Sequence, residues 1–165
     1  MIVLGIDPGM AETGYGVIEV EGSRMRAVDH GVVATEASVA AAARLAAIHG
    51  RVAELVARHA PDSAALEDLY VGANPRTILS VGQARGAVLA ACGAAGVEAA
   101  GYPPAEVKKA ICGFGRADKG QMTRMVSAIL GLDAVPATDH AADALAVAVC
   151  HATRSRVTLR QAVAR

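Results

Sequence analysis

Asp7 ends the apolar run Ile2-Val3-Leu4-Gly5-Ile6 and is followed at once by Pro8-Gly9. A carboxylate closing so apolar a segment needs a partner, because an ionised acid leaves water at high cost unless it is paired or bound to a cation. Glu67 repeats the situation in Ala64-Ala65-Leu66-Glu67-Asp68. A third group lies in Thr138-Asp139-His140-Ala141-Ala142-Asp143-Ala144-Leu145, where His140 and Asp143, three residues apart, share one face of a helix's first turns. From Ala144 to Val149 that segment is only Ala, Leu and Val, as expected of a buried helix. Singly, each residue has a simpler reading: Asp7 as a turn residue bonding backbone amides, Glu67 as the partner of an arginine, Asp139 as a helix N-cap in competition with Thr138. Together, carboxylates and a histidine at strand ends and on one buried helix suit a divalent-cation site. Oxygen ligands favour Mg²⁺ or Mn²⁺ over zinc.

The elements that must carry these groups are legible in the pattern. Strands are expected at Ile2–Asp7, Gly14–Val20 and Ala27–Ala34, with Gly22-Ser23 turning the second into the third. Val39–Arg58 reads as an amphipathic helix with Leu45, Ile48, Val52, Leu55 and Val56 on one face, stopped by Pro61-Asp62. A strand Ala64–Leu69, a helix from about Thr77 to Ala94 and a strand Val97–Tyr102 follow. Pro103-Pro104 opens a helix that Gly113-Phe114-Gly115 breaks, and Met122–Leu132 and Asp139–His151 form the last two. This order predicts an α/β fold with a mixed five-stranded sheet. The expected organisation is one domain over residues 1–153 and a basic tail over 154–165.

Composition excludes several classes. The chain of 165 residues is Ala- and Val-rich, with aromatics at only 2%. The N-terminus has no basic stretch before its short apolar run, unlike a signal peptide, and the apolar stretch Ala87–Ala105 is too interrupted by Gly, Glu and Pro to span a bilayer. Cys92, Cys112 and Cys150 lack any paired spacing and read as reduced thiols of a cytoplasmic protein. The formal net charge is zero but unevenly spread. Between residues 69 and 132, Arg76, Arg85, Lys108, Lys109, Arg116, Lys119 and Arg124 face only Glu98, Glu106 and Asp118. After Cys150 there are four arginines and no acid. Such a distribution suits a polyanion held against a metal site, although solvated helix faces give the same counts.

The stretches GIDPGMAETGYGVIE, ALEDLYVGANPRTILSVGQARG, PAEVKKAICGFGRADKGQM and DHAADALAVAVCH, in this order and spacing, closely resemble the RuvC family of bacterial Holliday junction resolvases. The first stretch alone is shared with sugar kinases and actin-like ATPases, but that architecture needs two such domains. A non-catalytic DNA-binding protein or a YqgF-like nuclease are the other readings. The resemblance covers Ile2 to His151 and implies a ribonuclease H-like fold with helices on both faces of the sheet.

It further implies metal-dependent cleavage of four-way junctions, with two divalent ions held by Asp7, Glu67, His140 and Asp143. The family usually has Asp at the third position, so His140 is a departure, and an imidazole there favours Mn²⁺. Lys108 and Lys119 match lysines near the family's site, where a cation offsets charge on the phosphate. Tyr70 matches an aromatic that stacks on unpaired bases, and Arg76 and Arg85 are candidate phosphate contacts, Arg85 with bracing of its helix as the alternative. A homodimer working with RuvA–RuvB is implied as well. His30, His49, His59 and His151 read as structural or surface residues. His151 lies eight residues past Asp143, about 12 Å along a helix, too far to share its ligand role.

Overall fold

The computed structural model describes the backbone of residues 1–68 and 74–163, with side chains as far as residue 155. Five strands, β1 (Ile2–Asp7), β2 (Glu12–Glu21), β3 (Arg24–Ala34), β4 (Ser63–Glu67) and β5 (Ala99–Tyr102), form one sheet in the order β3-β2-β1-β4-β5. The first three are an antiparallel meander, while β4 pairs parallel with β1 and β5 parallel with β4. The helices are α1 (Ala41–His59), α2 (Pro75–Ala94), α3 (Pro104–Cys112), α4 (Lys119–Leu130) and α5 (Asp139–Val163).

Alternation along β1 divides the core. Val3 points to a cluster with Ile18, Ala65 and the inward faces of α3, α4 and α5, including Val107, Val126 and Leu145. Leu4 and Ile6 point the other way, to Val17, Leu66 and the α1 and α2 residues Ile48, Val52, Leu55 and Val88. Because helices cover both faces, the central strand reads as an unbroken apolar run rather than an alternating one. That leaves the end of β1 as the first place where a charge meets solvent.

α5 lies unusually close to the sheet. A Cβ on Gly5 would come within 2.0 Å of the Ala144 carbonyl oxygen, and one on Gly14 within 2.0 Å of the His140 carbonyl oxygen. Glycine at these two positions is therefore a packing requirement. Gly14 pairs with Asp7 in the β1–β2 register, so the first turn of α5 sits directly over the end of β1. Further along, His151 ties α5 to the sheet: its Nε2 is 2.9 Å from Ser63 Oγ and its Nδ1 is 2.8 Å from the Tyr102 hydroxyl. Burial pushes this imidazole's pKa down, which favours the neutral ring that such a pair of contacts needs.

Most expected boundaries fall within a few residues of the observed ones. The last helix differs most, since α5 continues past His151 to Val163 and the backbone of the expected tail is helical as far as that residue. Thr138 rather than Asp139 caps α5: its Oγ1 accepts the Ala141 amide at 3.2 Å, and Asp139 is already the first helical residue. Among the described residues, no helix is long and apolar enough to cross a membrane.

Candidate active site

The parallel pairing of β1 and β4 runs to Ile6 and Leu66, so the next residue of each strand, Asp7 and Glu67, emerges at the same edge of the sheet. α5 delivers His140 and Asp143 to that edge from above. His140 Nδ1 lies 2.6 Å from Asp7 Oδ2, and Nε2 lies 3.4 Å from Glu12 Oε2. Residues that are 133 positions apart in the sequence thus meet side by side.

The lysines approach from the other flank. Asp118 and Gln121 form a reciprocal capping box at the start of α4, which fixes Lys119 as its first residue. A lysine at a helix N-terminus faces the positive end of the dipole and is misplaced as regards the helix alone. It is compensated across the site, with Nζ 3.0 Å from Asp139 Oδ2 and 3.7 Å from Asp143 Oδ2. Partial burial draws its pKa down, but the hydrogen bond to Asp139 and the charges of Asp143, Asp139 and Asp7 outweigh that and raise it. Lys108, one turn into α3, joins Glu67, Lys119, Met122 and Asp143 around a cavity of about 240 Å³.

The carboxylates repel one another. Burial, followed by the charges of Asp7 and Asp143, pushes Glu67 up to about 7, with Lys108 and Lys119 acting in the opposite sense. Asp143 is raised for the same reasons, burial first and Asp7 next. Among the described residues, no three His, Cys, Asp or Glu groups are already gathered tightly enough to hold an ion. Asp7 is engaged with His140, and Asp143 with Lys119. The donor set nonetheless fits a divalent cation, since three mutually repelling carboxylates beside one imidazole are what a hard or borderline ion neutralises.

The remaining expected residues fall in several places. Arg85 is used within the fold: one guanidinium nitrogen donates to the Glu67 carbonyl oxygen at 2.9 Å, and another is 2.8 Å from Asp68 Oδ1. It braces the end of β4, directly beneath Glu67, rather than its own helix. Arg76 is exposed in the first turn of α2, just after the Asn74 cap. Tyr70 lies outside the described residues. Asp139, next to His140 in the first turn of α5, points to Lys119 and is well exposed. Glu12 was not indicated by the sequence, where it falls ahead of the expected strand Gly14–Val20. Only the β2 register, which sets it two residues from Gly14, could have pointed to it.

The family model described as "Crossover junction endodeoxyribonuclease RuvC" matches residues 3–151. A relative of that name from Pelotomaculum thermopropionicum is 47% identical over 152 residues, covering 92% of this chain and 93% of its own. Another, from Moorella thermoacetica, is 48% identical over 153 residues, covering 93% and 92%. The solved structure "T. thermophilus RuvC in complex with Holliday junction substrate" superposes with a TM-score of 0.92 at 40% identity, over 96% of each chain. With the ribonuclease H-like sheet and the full-length match together, the chain belongs to the RuvC family of crossover junction endodeoxyribonucleases.

Proposed function

We propose that the protein resolves Holliday junctions in recombination and repair, cutting two opposed strands by metal-dependent hydrolysis. The observation that carries this reading is the convergence of Asp7, Glu67, His140 and Asp143 from two parallel strand ends and one helix start. These four residues would hold two divalent ions, which when bound supply an activated water and charge stabilisation of the leaving 3′ oxygen. The nicks then carry 5′-phosphate and 3′-hydroxyl ends.

The chain's own groups do the rest. Asp7 lies between Glu67 and His140, in contact with the imidazole and close enough to raise the Glu67 pKa, and would be a ligand beside both. Lys119 and Lys108 flank the cavity beside Glu67 and Asp143, where an ammonium offsets charge growing on the phosphate. Arg76 contacts backbone phosphate and Tyr70 stacks on unpaired bases, while Arg85 supports Glu67 from below. A two-fold junction calls for a homodimer with two matching sites, working beside a RuvA–RuvB branch-migration complex in the bacterial cytoplasm.

The test is a cleavage gel offering a synthetic four-way junction, a linear duplex and an RNA–DNA hybrid with Mg²⁺ or Mn²⁺. Junction should be cut in preference to the others, and faster with Mn²⁺, because imidazole suits transition ions better than Mg²⁺. Asp7→Asn should abolish cleavage and leave metal-free junction binding intact in a gel shift. Retained nicking by that variant would remove Asp7 from the site.

A further inference from the structure

We infer that Glu12 is a positioning residue for His140, the carboxylate that accepts the Nε2 hydrogen and so turns the Nδ1 lone pair toward the metal. The inference rests on the proposed ligand role of His140.

The imidazole stands between two acids, with Nδ1 2.6 Å from Asp7 Oδ2 and Nε2 3.4 Å from Glu12 Oε2. Two acceptors cannot approach to 2.6 Å unless a proton or a cation lies between them. When His140 shares an ion with Asp7, Nδ1 must present its lone pair, and a neutral ring then has its single hydrogen on Nε2. The carboxylate nearest that nitrogen, within ion-pair distance, is Glu12. A carboxylate behind a ligating histidine fixes tautomer and ring plane and makes the ligand more basic.

Local structure holds Glu12 in this place. Glu12 and Gly14 project from the same face of β2, since the side-chain period of a strand is two. The missing Cβ at Gly14 lets His140 settle onto the sheet, and Glu12 rises beside it. Thr13 between them points to the opposite face, fully buried, and its hydroxyl donates to the Gly9 carbonyl oxygen at 2.7 Å. A Cβ on Gly9 would lie 2.2 Å from the Glu12 carbonyl oxygen, so the turn from β1 into β2 is closed tightly. Among the described residues, the Glu12 side chain makes no other hydrogen bond or ion pair. Its second effect is on charge. A neutral imidazole brings no negative charge to the ligand set, and Glu12 adds one a group further out.

The test is calorimetric titration of Mn²⁺ into the metal-free full-length protein. Glu12→Gln should weaken Mn²⁺ binding about 10-fold, within the range for partners of ligating histidines. In a His140→Ala background the same change should have no further effect. In a His140→Asp background its sign should reverse, because Glu12 would then face a second carboxylate and Glu12→Gln would tighten binding. Ring-nitrogen NMR of the Mg²⁺-loaded protein should place the His140 hydrogen on Nε2. If Glu12→Gln binds Mn²⁺ like the parent while His140→Ala binds it weakly, the role of Glu12 is overturned and that of His140 stands. If His140→Ala leaves affinity unchanged, the ligand assignment itself fails.

Discussion

Glu67 shows at the scale of one residue how the site strains against the fold. Its carboxyl is pushed from an ordinary 4.5 to about 7, by burial and then by Asp7 and Asp143. A raised acid pKa means that the folded state holds the proton longer than the unfolded chain does. Between pH 4.5 and 7 stability therefore falls as pH rises, and above pH 7 the loss is complete. The shift sets an upper bound of about 3 kcal/mol, and Asp143 acts in the same direction. In chelator, Glu67 and Asp143 therefore weigh against the fold more at pH 8 than at pH 5, opposite in sense to the buried His151. Glu67→Gln should raise the melting temperature at pH 8 by several degrees, at about 2–4 °C per kcal/mol, and change it little at pH 5. Equal melting of parent and variant at pH 8 would show that the carboxylates do not oppose one another. Asp7, Glu67 and Asp143 were conspicuous in the sequence because each interrupts an apolar segment. Glu12 was not, since it fell ahead of the expected strand and is unremarkable until the fold sets it beside a histidine.

Among the elements, α5 governs the geometry, because its height above the sheet decides whether His140 can reach Asp7. Gly14→Ala places a methyl group 2.0 Å from the His140 carbonyl oxygen, so the helix start must lift or slide. The expected cost is about 1–3 kcal/mol of stability, with cleavage reduced far more than junction binding. Melting curves and a gel shift beside a cleavage gel separate these effects, and parental cleavage would show that α5 need not sit so low. The succession of strands and helices along the chain was readable because the apolar periods change cleanly at Pro61, Gly96 and Pro103-Pro104. The extent of α5 was not, because its apolar face ends near Ala152, and the charged residues after it give no stop signal. Nor does a linear pattern reveal close approach, since Gly5 and Gly14 look like turn or strand glycines until a backbone is found over them.

For the whole molecule, zero net charge conceals a divided surface. Arg76 and Arg85 lie on α2, Lys108 and Lys109 on α3, and Lys119 and Arg124 on α4, with Lys108 and Lys119 opening onto the cavity of the site. Junction affinity should therefore fall steeply with salt, with a slope in log K against log salt of about −0.9 per phosphate contacted. Arg76→Ala should flatten that slope by about one unit, as measured by fluorescence anisotropy across a salt series. An unchanged slope would locate the phosphate track elsewhere. The hold of His151 on Ser63 and Tyr102 bears on the molecule as a mechanical object. It pins α5 eleven residues, or about 16 Å, beyond His140, while the bare glycines Gly14 and Gly5 seat the His140 and Ala144 carbonyls on the sheet nearer the other end. The helix is thus a beam resting on two supports rather than on one. A load applied at its His140 end passes into the sheet instead of bending the helix.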